Sequence, residues 1–443
     1  MTAIRLSDHF TYRRLLRFTA PPILMMIFTA VYSVVDGVFV ANFVGGVQFA
    51  AINLIMPFLM LFDGFAFMLG AGGSALVAMT LGEGRDRLAR EYFSLIVYAV
   101  IALGTAITGL GIALLPTVSA LLGADAAMLP YCVEYGRIVM LATVPFMLQT
   151  TFQTFLITAE RPRLGLFITV GAGVANMALD ALFMAVFGWG LVGAAAATAI
   201  AQCVGGLVPL AYFLSPNGST LRLGKTRFYG RALLRACGNG FSECLSALSR
   251  SFVGMLFNFR LMQLVGERGV SAHGVIMYVN FVFISMFLGF SDGSAPVVGF
   301  HYGAQNRDEL KSLLRKGLTI VGAFAVLMTG GAELLSRPLA QLFVSYDPEL
   351  MELTVHAFRL FSLSFLLVGF NIYGSAFFTA LNNGAVSAVI SVGRSLVFEV
   401  AAILVMPELL GVDGLWLASP VSALCAMAVT VFCLVKYRDR YGY

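Results

Sequence analysis

Residues 49–81 read FAAINLIMPFLMLFDGFAFMLGAGGSALVAMTL, 33 residues carrying one charge, Asp63. A bilayer's hydrocarbon core is roughly 30 Å thick and is crossed by about 20 apolar helical residues, so this stretch spans it with length to spare. Inside lipid it must be a helix, because a helix satisfies every backbone polar group within itself. The same pattern recurs on both sides. Apolar runs between charged or turn-rich punctuation predict twelve spans, at about 18–43, 49–81, 91–115, 130–158, 164–187, 191–214, 231–265, 271–303, 313–335, 351–380, 385–409 and 414–436. Over the 443 residues, 59% are apolar and 12% charged, against roughly 25% charged in soluble domains. A water-soluble globule is excluded, and so are a disordered chain, which needs low hydrophobicity, and a collagen, which needs glycine at every third position. The expected fold is an all-α integral membrane protein.

Basic residues orient it. With the first residues placed inside, 21 of the 28 Lys and Arg fall in inward segments, two (Arg268 and Arg337) in outward loops, and five within spans. That asymmetry predicts a multi-pass protein of the cytoplasmic (inner) membrane, in contact with lipid, with both termini cytoplasmic. It also accounts for the net charge of +5 without a nucleic-acid partner. The six cysteines form no C-x-x-C pair and read as small apolar filler. The first run is too long for a signal-peptide core and is expected to remain as the first span.

The polar stretch Ser215 to Arg231 separates the sixth and seventh spans and reads as a linker, dividing the chain into residues 1–218 and 219–443, each a six-helix bundle. Sliding the sequence on itself supports the division. Arg13 to Arg17 (RRLLR) meets Arg231 to Arg235 (RALLR) at an offset of 218; Arg85, Asp86 and Leu88 meet Arg307, Asp308 and Leu310 at 222; Phe167 to Gly171 (FITVG) meets Val389 to Gly393 (VISVG) at 222; Gly193 meets Gly414 at 221. Six spans return the chain to its starting side, so the halves share one orientation and are related by a pseudo-two-fold along the membrane normal. Such bundles leave a cleft near the midplane and work by rocking, an architecture of transporters.

Charges within spans cost roughly 2.5–3.5 kcal/mol each even on the lenient insertion scale, so each must face a partner, water or a cavity. In the first half these are Asp36, Asp63 and Asp180. Asp36 lies seven residues from Phe43, Asp180 seven from Phe187 and Thr198 seven from Leu191, which puts all three roughly 10 Å below the outer boundary at 1.5 Å per residue. Asn176 precedes Asp180 by four residues and Gln202 follows Thr198 by four, so each pair shares a helix face. Two carboxylates in a poorly solvated site hold and release a proton near neutral pH, or their oxygens ligate Na⁺; Asn176 and Asp180 as helix-pinning groups are the plainer alternative. In the second half the candidates are Glu243, Arg250, Asp292, Arg359, Arg394 and Glu399. Glu243 and Arg250 are two turns apart and read equally as an interhelical ion pair, Glu399 as a cation contact, and Asp292, in the GFSDGSAP stretch Gly289 to Pro296, as a bend near the cytoplasmic mouth.

No ATP chemistry is encoded. Gly224-Lys225-Thr226 imitates the end of a phosphate loop, but Ser219 stands where the upstream glycine is required and no strand precedes it. His9, His273, His301 and His356 show no metal-ligand spacing, and no nucleophile pattern appears, so an enzyme is not expected and no cofactor is implied. Energy must come from an ion or substrate gradient; one charge crossing 100 mV supplies roughly 2.3 kcal/mol.

Val35-Asp36-Gly37, the run Gly70-Ala71-Gly72-Gly73-Ser74-Ala75 leading to Gly82-Glu83-Gly84-Arg85, Asn176-x-x-x-Asp180, and Gly299 to Gln305 (GFHYGAQ) together resemble the multidrug and toxic compound extrusion (MATE) family, over essentially the whole chain. The resemblance implies a secondary active exporter, V-shaped when open outward, that exchanges H⁺ or Na⁺ for cationic or amphipathic organic compounds and acts as a monomer. It implies Asp36 and Asp180 as the protonation site, or as the metal ligands if the ion is Na⁺, with Asn176 and Thr198 beside them. Gln153 and Gln202 would line the substrate cavity, with Glu243 and Glu399 taken as its second-half members. His301 and Asp292 depart from the family pattern. A lipid-linked oligosaccharide flippase of the same superfamily is the alternative, but it would be expected to line its cavity with arginines.

Overall fold

A computed structural model describes residues 4–344 and 347–443. The helices are α1 (Tyr12–Phe43), α2 (Gly46–Gly82), α3 (Asp86–Leu121), α4 (Leu129–Leu141), α5 (Thr143–Thr158), α6 (Pro162–Asp180), α7 (Gly190–Leu214), α8 (Gly230–Leu264), α9 (Glu267–Gly303), α10 (Arg307–Val344), α11 (Pro348–Ser362), α12 (Phe365–Ala380), α13 (Gly384–Val392), α14 (Phe398–Lys436) and α15 (Arg438–Tyr441). Two π-helical segments, Ala181–Val186 and Gly393–Val397, follow α6 and α13.

Eight helical runs are long and apolar enough to cross a membrane unaided, and the bent pairs α4–α5 and α11–α12 bring the count to ten among the described residues. The run Gly384–Lys436 is 53 residues long, far more than one crossing requires, and breaks at Gly411, whose φ of 62° lies in the left-handed region. It supplies two spans. The twelfth is α8, whose Arg231, Arg235, Glu243, Arg250 and Arg260 dilute its hydropathy but whose length matches its neighbours. The chain is therefore a membrane protein of twelve helical spans.

Three local features differ from the sequence reading. The fourth span bends by 51° at Ala142 because Pro145 has no N–H for the Leu141 carbonyl, so the ladder opens there. The tenth bends by 46° near Leu363, where the Ser362 hydroxyl has the Arg359 carbonyl oxygen (2.8 Å) and Glu333 Oε1 (2.7 Å) as alternative acceptors, the first of them competing with the helix ladder. Asp292 marks no break: α9 runs on through Gly289 and Gly293, which are small because α1 crosses there, a Cβ on Gly289 falling 2.5 Å from the Ile23 Cα.

The repeat has a packing cause. A Cβ on Gly193 would lie 3.2 Å from the Phe183 carbonyl oxygen, and one on Gly414 would lie 2.1 Å from that of Met406. These matched glycines let the hairpins between the fifth and sixth, and eleventh and twelfth, spans close tightly. The two sets of six spans meet through α2 against α8 and α1 against α9, which are equivalent contacts under the repeat. The closest approaches of α2 to α8 (Gly72 to Ala236, Gly240 to Met68) and of α2 to α9 (Gly82 to Phe300, Gly303 to Met79) all fall towards the end that carries the basic residues. Nearer the opposite end, Gly37 in α1 and Gly254 in α8 meet nothing within 4 Å. The tightest crossings between the halves are therefore at the basic end.

The N-terminal arm straps that closed end. Leu6 N–H donates to Glu160 Oε1 (2.7 Å) in the first half, while Phe10 N–H donates to Glu309 Oε1 (2.8 Å) in the second, with His9 Nδ1 2.6 Å from Glu309 Oε2. The linker lies on the first half: Leu221 and Leu223 are buried beside Phe93 and Phe213, Gly224 N–H donates to Ser94 Oγ (3.1 Å), and Arg161 donates to the Gly218 carbonyl oxygen (2.8 Å).

Candidate functional site

Asp36 comes from the outer part of α1, and Asp180 is the last residue of α6, where the helix widens into the π segment. A π turn is a one-residue insertion that loosens the backbone ladder, and such turns gather at functional sites. The two carboxyl groups lie within hydrogen-bond reach of each other. Asp180 is wholly buried, and neither of its carboxylate oxygens, nor Oδ1 of Asp36, finds a hydrogen-bond donor among the described residues. Two carboxylates in that position repel unless a proton or a metal ion stands between them. The donor set suits a proton directly. For Na⁺ it offers the two carboxylates and the side chain of buried Asn176, one turn before Asp180; the described residues hold no group of three or more His, Cys, Asp or Glu arranged for a metal.

The remaining first-half candidates lie on the helices packed against α6. Thr198 is half-buried on α7, which packs on α6, and Gln202 one turn further has an Oε1 that is buried without a donor. Gln153 lies on α5 and its amide donates to Thr169 Oγ1 at 3.4 Å, tying α5 to α6 and away from the pair. Two tyrosines that the sequence reading passed over are close to the carboxylates: Tyr32 is within electrostatic reach of Asp36 and Asp63, and Tyr135 of Asp36 and Asp180. Tyr32 is four residues before Asp36, so helix periodicity already places it on that face. Tyr135 sits in α4, and nothing local to the sequence points from it to Asp36.

A second charged group lies where the halves begin to part. Gly64 of α2 approaches Cys244 of α8, a Cβ there falling 3.1 Å from the sulfur, and beside this contact stand Asp63 and Glu243. Arg250 is exposed despite lying in the middle of its span and is within electrostatic reach of both Asp63 and Glu243. Arg394, in the second π segment, is within reach of Glu243, Arg250 and Glu399, and its Nε has no acceptor among the described residues. Ser419 Oγ donates to Glu399 Oε1, and Asp292 is within reach of Glu243. Glu243 and Glu399, taken separately from the sequence, are thus brought together through Arg394.

Two six-span bundles with buried carboxylates around an opening cleft define a polytopic transporter. The MatE family model matches residues 21–182 and again 244–404, and the chain belongs to this multidrug and toxic compound extrusion family, a family of transporters and not of enzymes. The two matched stretches repeat the internal offset. Among curated relatives, the chain is similar to the multidrug export protein MepA of Staphylococcus haemolyticus, 21% identical with 97% of this chain and 94% of that one covered. It is also similar to MepA of Staphylococcus aureus strain MSSA476, 20% identical over the same shares. Among solved structures, the outward-facing form of a multidrug resistance MATE family transporter of the MOP superfamily superposes with a TM-score of 0.92 at 21% identity, covering 100% of this chain and 98% of that chain.

Proposed function

We propose that this protein is a secondary active multidrug exporter of the bacterial cytoplasmic membrane, exchanging H⁺, or Na⁺, for cationic or amphipathic organic compounds by alternating access. The observation that carries the reading is the Asp36–Asp180 pair, within hydrogen-bond reach of each other, with both Asp180 carboxylate oxygens and Asp36 Oδ1 buried without donors among the described residues. Two buried carboxyl groups this close share a proton or a bound cation, and H⁺ is the ion we take first. With the basic end taken as cytoplasmic, the cleft opens outward, the pair loads its ion from outside, and discharge follows when the bundles rock and the basic end opens. The rocking units are residues 1–218 and 219–443, with the linker before α8 resting on the first of them. Asn176 and Thr198 orient the pair, while Gln153, Gln202, Glu243 and Glu399 face the substrate's path. The relatives' name, multidrug export protein, supports organic small molecules over a lipid-linked sugar.

The test is efflux of a fluorescent cationic dye from vesicles holding the purified protein, driven separately by an imposed pH gradient and an imposed Na⁺ gradient. Wild type is expected to respond to the pH gradient, and Asp36→Asn and Asp180→Asn each to lose that response at unchanged abundance. Normal coupled efflux in both variants would sink the reading.

A further inference from the structure

At the basic end, between the two halves, lies a cavity of about 500 Å³ whose lining includes Arg85, Arg235, Arg307 and Arg440, with Glu83 the one carboxylate. Its walls come from both halves: Glu83 and Arg85 follow α2, Arg235 is in the first turns of α8, Arg307 opens α10, and Arg440 lies in α15. We propose that this cavity is a binding site for a phosphate-bearing anion, which bridges the two halves while the basic end is closed.

Orientation signals explain why arginines are at this end, but not why four of them line a single cavity across the interface, a lining that Arg163, Arg222 and Arg231 do not join. Of the four, Arg85 meets a carboxylate, Glu83 Oε2 at 3.2 Å. Arg235 is 3.9 Å from the Met79 sulfur, a weak acceptor, and the Arg440 guanidinium lies 5.5 Å from the Tyr441 ring centroid. The Arg307 side chain packs against Gly442, where a Cβ would fall 2.6 Å from the Arg307 Cδ. Arg85 and Arg307 are the matched residues of the repeat, so the pseudo-two-fold turns one loop's arginine toward the other's. Planar guanidinium groups converging on one space repel each other and match the tetrahedral oxygens of phosphate, which takes paired N–H donors. The tyrosine rings of Tyr302 and Tyr441, 5.6 Å apart and edge-on, wall one side. Because the lining residues separate when the basic end opens, an anion held here favours the closed arrangement.

The anion can be an acidic phospholipid headgroup or a soluble phosphate compound, and binding is read without reference to transport. Full-length protein is placed in vesicles of phosphatidylcholine alone, of phosphatidylcholine with phosphatidylglycerol, and of phosphatidylcholine with added inorganic pyrophosphate, and its thermal unfolding midpoint is measured. A rise of about 2 °C or more is expected for wild type with at least one phosphate source; a rise with phosphatidylglycerol identifies the headgroup, and one with pyrophosphate the soluble ligand. Arg85→Gln/Arg307→Gln is expected to lose the rise, while Arg87→Gln/Arg231→Gln, with the same change in charge, keeps it. Should the first pair fail to fold, Arg440→Gln on the terminal helix takes its place. No rise in wild type with either source, or equal loss in the control pair, overturns the proposal.

Discussion

At the residue scale, charges inside the bundle are grouped by sign partner more than by helix. Asp63 of the first half is within electrostatic reach of Arg250 of the second, and removing one leaves the other uncompensated in a cleft that, on the proposed function, admits cations. Asp63→Asn is therefore expected to raise the apparent KM for a cationic dye severalfold while leaving abundance intact. Arg250→Gln in the same chain should restore much of the loss, with a coupling of about 0.5–3 kcal/mol in the double-mutant cycle. Additive losses would show that the two side chains act independently. Much of this chemistry is legible in the sequence, because an intramembrane Asp is rare enough to be noticed singly and because Asp36 and Asp180 count to one depth from their helix ends. The convergence of Glu243, Arg394 and Glu399 is not legible, since it depends on how α8 turns its face to the π segment at Gly393–Val397.

At the element scale, the spans follow from hydropathy but their breaks do not. The bend at Ala142 rests on a missing N–H at Pro145, whereas Pro21 and Pro22 sit inside α1 without dividing it, so proline alone does not forecast where a span breaks. The π segments carry no composition signal at all. The glycines of α2 and α8 read from the sequence as scattered, yet they set how closely the halves approach. A Cβ on Gly240 would lie 1.9 Å from the Met68 carbonyl oxygen and one on Gly72 2.0 Å from that of Ala236, while one on Gly238, two residues from Gly240, meets nothing within 4 Å. Small residues at a helix crossing let backbones pack where lipid offers no hydrophobic drive. Gly72→Ala or Gly240→Ala should thus cost about 1–3 kcal/mol by overpacking, read as a lowered unfolding midpoint in detergent, and Gly238→Ala should be neutral or slightly stabilising. Equal effects at Gly238 and Gly240 would remove the crossing as the cause.

At the scale of the whole molecule, the repeat is the part of the architecture that the sequence carries most openly, since an offset of about 220 residues recurs in four separate matches and again in the family model's two stretches. What the repeat leaves open is which end is shut, because both halves keep the same contacts within themselves in either arrangement. Here the shut end is the one where α2 crosses α9. A Cβ on Gly299 would stand 3.3 Å from the Cβ of Ala78, just under the separation that a disulfide spans. Rocking of the halves must part these two positions, one in each half, before anything can enter from the basic side. Ala78→Cys/Gly299→Cys is accordingly expected to cross-link under mild oxidation and to stop dye efflux, with reductant restoring it and each single variant transporting under both conditions. The cross-link would hold the form closed at the basic end without touching Asp36 or Asp180, so, on the proposed function, an ion-binding signal at that pair should survive in the locked protein. Full efflux by the cross-linked chain would mean that substrate passes without the basic end opening, and the two halves would then have to be regarded as one rigid body around a different path.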